Sequence, residues 1–216
     1  MLHLCADCLA GHNEAGMRVL IWQEKNQMQG GAESWISDLA AALKALGHSV
    51  AWLHSEQIEQ AVEAFRPDVV AIGTIHNFIG LAHVERLKAL GVPAIWKVHD
   101  YWPFCGPRML MRDHNRSDVA CEAAHGECAN SCGGRHPVPE VMRGIYAVTG
   151  CEGAANILRR HGVRLDAVIE EGIDTDLFRP DASRQGEQAR IYSSAAWNAP
   201  WKGWHILEKA MRGGRA

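Results

Sequence analysis

The feature that most limits how this chain can fold is the alternation of short, unbroken apolar runs with segments of helical periodicity. Met17-Arg18-Val19-Leu20-Ile21-Trp22 is the first such run, and residues 48–53, 68–73, 93–98, 144–149 and 165–170 repeat it. Runs this short and this apolar on both alternate faces predict strands that are covered on both sides. The stretches between them predict helices over 33–46, 56–65, 78–90 and 151–160. Gly47, Gly91 and Gly162 stand where a C-terminal glycine ends a helix, and Pro67 stops the second one. In the first helix Trp35, Leu39, Ala42, Leu43 and Leu46 fall on one face, which is expected to point inward. Thr149 is the expected N-cap of the helix over 151–160. Strand and helix in strict alternation, joined by right-handed crossovers, give a parallel sheet in an α/β doubly wound, Rossmann-like fold.

Ligands of such folds sit at the carboxyl ends of the strands, so the residues just past each strand are the candidate site. They are Gly30, Gly31, Thr74, His76, His99 and Asp100, expected to line one crevice. Two glycines before a helix let backbone approach a ligand closely and adopt positive φ. The N–H groups of the first turn and the helix dipole then favour an anion, of which phosphate is the obvious example. The plainer reading is a tight turn with no ligand. The spacing is not that of the dinucleotide fingerprint, since no third glycine follows where it is required. His99 can donate a hydrogen bond, take a proton, or act through its backbone carbonyl; the alternative is a structural histidine held by Asp100.

Charge and composition remove other classes. A net charge of −3 on 216 residues argues against a nucleic-acid surface. No apolar run reaches the roughly 18 residues of a membrane helix, and the N-terminus lacks a secretory pattern. A cytoplasmic protein with reduced thiols is expected, with peripheral membrane contact left open. Residues 1–16 precede the first strand and carry His3, Cys5, Cys8 and His12, a zinc-like set in principle; a disordered or mis-assigned start is the preferred reading. Between 104 and 139 periodicity is lost, and Cys105, Cys121, Cys128 and Cys132 crowd into this one loop. They are expected to approach one another, as a zinc site, as free thiols or as a labile disulfide.

After the sixth strand comes Gly172-Ile173-Asp174-Thr175-Asp176-Leu177-Phe178-Arg179-Pro180, then a polar linker over 181–188. A strand over 189–196, Trp201-Lys202-Gly203-Trp204 and a helix over 206–211 follow. One strand and one helix cannot bury a core of their own. The expected organisation is a domain over 17–180, followed over 181–216 by a linker and the first strand and helix of a second, truncated domain.

Four motifs in order now carry a resemblance: Gly30-Gly31-Ala32-Glu33, His99-Asp100-Tyr101-Trp102-Pro103, the segment from Gly172 to Pro180, and Lys202-Gly203. From Met17 to about Arg212 the chain resembles the GT-B retaining glycosyltransferases of family 4. The resemblance implies the N-terminal, acceptor-binding half of a GT-B fold, with donor binding in the second domain. It implies that Gly30 and Gly31 reach the diphosphate of a nucleotide-sugar donor, that His99 lies beside the transferred sugar, and that Lys202 neutralises the diphosphate. It implies no divalent metal. Two positions depart from the family: Ala196 and Trp197 stand near where an arginine is common, and Glu170-Glu171 replaces a frequent Pro-Asn.

The implied reaction moves a sugar from a nucleotide diphosphate to an acceptor hydroxyl, on a sugar, a lipid-linked or a small-molecule acceptor, with retention. This chain alone is expected to be inactive, for want of a complete donor domain. Two other readings stay open: a non-catalytic GT-B half that binds an acceptor or partner, and a different GT-B enzyme such as a nucleotide-sugar epimerase.

Overall fold

The computed structural model describes residues 16–24, 30–75, 80–105, 110, 138–179 and 202–213. Six strands form one all-parallel sheet, β1 (Arg18–Trp22), β2 (Ser49–Leu53), β3 (Val69–Ile72), β4 (Ala94–Val98), β5 (Tyr146–Thr149) and β6 (Ala167–Val168). Their order is β2-β1-β3-β4-β5-β6. The helices are α1 (Gly31–Ala45), α2 (Ile58–Phe65), α3 (Gly80–Ala89), α4 (Val138–Val141), α5 (Glu152–Arg160) and α6 (Trp204–Gly213). This is the α/β, Rossmann-like doubly wound arrangement that the alternating runs predict, with each of the six strands at an expected position.

Alternation along each strand divides the core into two layers. On one face Leu20, Trp22, Val70, Ile72, Trp96, Val98 and Ala147 pack with Ile58, Ala61 and Phe65 of α2, Val84 and Leu87 of α3, Val138 of α4 and Leu158 of α5. On the other, Val19, Ile21 and Val50 pack with Ile36 and Ala40 of α1. Burying each such side chain fully stabilises the fold by roughly 1.5–3 kcal/mol relative to exposure. Among the described residues only α1 covers this second face, and Ile95 and Tyr146 remain half exposed on it.

Several local expectations are corrected. The inward face of α1 centres on Ile36 and Ala40, with Trp35 and Leu43 at its margins, while Leu46 is 74% exposed and Ala42 lies outward. The cap of α5 is Cys151, whose Sγ accepts from Ala154 N–H at 3.4 Å. Thr149 instead ends β5, buried, and its hydroxyl donates to the Val98 carbonyl at 3.0 Å, tying β5 to β4. The expected helix ends do carry left-handed glycines, with φ of +86° at Gly47, +70° at Gly91 and +80° at Gly162. There a side chain would be strained, so these positions fix where the chain turns back.

Candidate functional site

The strand order reverses between β1 and β3, because β1 is followed by β2 on one side and by β3 on the other. Loops that leave these two strands diverge and open a crevice at their carboxyl ends. Gln23 and Glu24 lie there, both almost fully buried. The Gln23 side-chain oxygen accepts from Thr74 N–H at 2.7 Å, and Glu24 N–H donates to the Thr74 carbonyl at 2.8 Å. These two bonds stitch the β1 exit to the β3 exit. Gly73 is required by space: a Cβ there would lie 1.9 Å from Gln23 Oε1 and 3.1 Å from Ile36 Cδ1.

The glycine turn opens α1 as expected, but not through positive φ. Gly30 is the N-cap in extended backbone, φ −111° and ψ −175°, which any residue can adopt. Its N–H donates to Glu33 Oε2 at 2.9 Å. The helix therefore carries its own carboxylate at its positive end, where that charge is favourable. At Gly31 an added Cβ would meet nothing within 4 Å. Among the described residues neither strain nor packing calls for glycine there, and none fills the space beside that Cβ position.

His99 follows β4 and sits against α1. Its ring meets Trp35 edge-on, with centroids 5.2 Å apart. Beneath it Lys97, the one charged side chain of β4, is buried at 3% exposure. The Lys97 ammonium donates to the Ile169 carbonyl at 3.2 Å, lies 3.4 Å from Glu171 Oε1, and stands over the Trp35 ring at 4.6 Å. The same Glu171 oxygen is 3.9 Å from His99 Nδ1. Burial, then the Lys97 charge, push the His99 pKa down to about 4, against the smaller upward pull of Glu171 and Glu33. His99 is thus a neutral imidazole at pH 7. Among the described residues its Nε2 has no hydrogen-bond partner, and neither has the Gln23 amide nitrogen.

The alternative reading, a structural histidine held by Asp100, is not what the described contacts show. Asp100 Oδ1 accepts from Trp102 N–H at 2.9 Å in the turn after β4, and the carboxylate oxygen near the His99 ring is that of Glu171 at 3.9 Å. Thr74, His99 and Asp100 do share one small cavity with Gly73, Lys97 and Trp102. His76 lies outside the described residues, as do His3, Cys5, Cys8, His12, Cys121, Cys128, Cys132 and the strand expected over 189–196. Cys105 is described, and packs buried beside Leu110. Among the described residues no three metal-ligating side chains gather, and no helix is long and apolar enough to cross a membrane. Lys202 stands exposed at the head of the 202–213 segment.

Gln23, Trp35, Lys97 and Glu171 are site residues that spacing alone does not select as such. The available signal is the lone lysine in Ala94-Ile95-Trp96-Lys97-Val98. A charge within a run covered on both faces must have a partner. No protein-family model matches the chain, and no curated protein is significantly similar to it.

Proposed function

We propose that this chain is the acceptor-side half of a retaining glycosyltransferase of the GT-B type, using a nucleotide-diphosphate sugar as donor and a hydroxyl as acceptor. One observation carries the reading. Trp35, one turn into the helix that Gly31 opens, meets the neutral His99 ring at the end of β4, and Glu33 from the first turn of that helix acts on the same ring. Transfer of a glycosyl group needs two kinds of help at such a place: stabilisation of negative charge on the departing diphosphate and of positive charge on the sugar ring.

The backbone N–H groups around Gly31 suit the first role, since no Cβ obstructs approach and the helix dipole favours an anion. His99 suits the second. A neutral imidazole adds no repulsive charge beside a developing oxocarbenium ion, and its ring nitrogen or backbone carbonyl can face the sugar. The acceptor proton passes to the leaving phosphate oxygen, so no protein base with a pKa near 7 is required. Lys202 enters as the cation that the motif order assigns to the diphosphate. A cytoplasmic setting fits a donor of this class.

Calorimetric titration of a form of the protein that also carries a complete donor domain with uridine and guanosine diphospho-sugars tests the proposal. Saturable binding that is lost in a folded Gly31→Val variant supports it. No binding of any donor, or binding that Gly31→Val leaves unchanged, contradicts it.

A further inference from the structure

Glu171 belongs to the segment that leaves the sheet after β6, yet it reaches back to the end of β4. One hydrogen bond and one ion pair from a single buried ammonium bring it there: Lys97 holds the Ile169 carbonyl and the Glu171 carboxylate together. The room for this pair comes from Gly150, where a Cβ would stand 3.3 Å from Glu171 Oε1 and 3.4 Å from Lys97 Nζ. Trp35 closes the group, with Lys97 over its ring and the His99 ring packed against it at 68°. Three separate parts of the chain, α1, β4 and the exit from β6, thus meet around one imidazole.

We propose that Glu171, anchored by Lys97, is a positioning residue for His99: it fixes the imidazole as the Nδ1–H tautomer and leaves Nε2 as a hydrogen-bond acceptor. The role of that acceptor toward a sugar hydroxyl rests on the glycosyltransferase reading; the tautomer does not.

The selection is electrostatic. At 3.9 Å Glu171 Oε1 is too far for a hydrogen bond to Nδ1, but its charge favours a proton on the nearer ring nitrogen. Among the described residues the charged groups facing His99 are Lys97 from β4, Glu171 from the β6 exit and Glu33 from α1. Lys97 prevents the alternative in which Glu171 draws a second proton onto the ring as a simple ion pair. Lys97 and Glu171 therefore act in complementary ways. The carboxylate selects which nitrogen carries the proton, and the ammonium keeps the ring neutral. This gives a use to Glu171 in the Glu170-Glu171 pair, at a position where the resemblance offers an uncharged residue.

The test is ring ¹⁵N–¹³C spectroscopy of the histidines in the 216-residue chain, with the His99 signal assigned by its loss in His99→Gln. At pH 7 the wild type should show a protonated Nδ1 and a bare Nε2. Glu171→Ala should move the population toward Nε2–H, the form a free neutral imidazole prefers. Glu171→Gln, which keeps an acceptor oxygen, should retain part of the Nδ1–H form. Lys97→Met should raise the His99 pKa from its wild-type value without exposing the ring. Glu171 is nearly half exposed, so its variants fold, and amide spectra check this. A wild-type Nε2–H tautomer, or a tautomer unmoved in Glu171→Ala, would overturn the proposal. The measurement needs no substrate, so a form with a complete donor domain that binds no sugar nucleotide would sink the glycosyltransferase reading and leave this one standing.

Discussion

Replacing His99 by glutamine should remove a specific, calculable part of the protein's acid sensitivity. The folded-state pKa of His99 is pushed from 6.5 to about 4, chiefly by burial and then by Lys97. In the unfolded chain the same ring takes a proton near pH 6.5. Where the unfolded state binds more protons than the folded state, stability rises with pH. The contribution of neutral His99 is therefore present in full above about pH 6.5 and is lost as pH falls toward 4. At 1.36 kcal/mol per pKa unit the loss amounts to about 3 kcal/mol. His99→Gln keeps a polar side chain and removes the titration. Urea unfolding of both proteins at a series of pH values from about 7.5 down to about 4 gives the comparison. Wild type should lose about 3 kcal/mol more than His99→Gln over that range. Acidic residues titrate in both proteins and largely cancel in the difference. Parallel stability curves would refute the reasoning and show that His99 is neither desolvated nor opposed by Lys97.

Other perturbations read other parts of the site. Gly73→Ala should destabilise the fold by about 1–3 kcal/mol, as overpacking of a filled core does, because the new Cβ displaces the Gln23 amide; adding Gln23→Ala should recover part of the loss in urea midpoints. Glu33→Gln should tighten binding of uridine diphosphate several-fold in calorimetry, since removing the resident charge is worth about 0.3–1 kcal/mol at a helix N-terminus. Gly150→Val should crowd the Lys97–Glu171 pair and shift the His99 ring signals without changing those of His48, which lies at the other end of the strands.

The parts of the fold legible in the sequence are those set by neighbours along the chain. A glycine just past a run of helical periodicity marks where that helix ends, so Gly47, Gly91 and Gly162, all at positive φ, can be placed without tertiary structure. A short run covered on both faces is a strand whatever its partners, which is why all six are legible. The rotation of α1 about its own axis is another matter. Periodicity identifies a helix, but only packing on β1 decides that Ile36 and Ala40 lead and that Leu46 is left exposed. The polar cluster is the least legible, because Lys97 and Glu171 are far apart in sequence and meet only once β4, β5 and β6 lie side by side. Asp100, adjacent to His99, is the natural candidate partner; the turn after β4 sends its carboxylate to Trp102 N–H instead.

The most direct test of the central claim is the turnover of His99→Ala in a form of the protein that carries both domains of the proposed glycosyltransferase, with kcat and KM measured separately for a nucleotide-diphosphate sugar. A group that acts on developing charge stabilises the transition state more than the ground state. Loss of one such contact costs on the order of 3 kcal/mol, roughly a hundredfold in rate. The expected result is a folded variant with kcat lowered by about that factor and KM for the donor little changed. A folded His99→Ala protein that turns over at the wild-type kcat would contradict it.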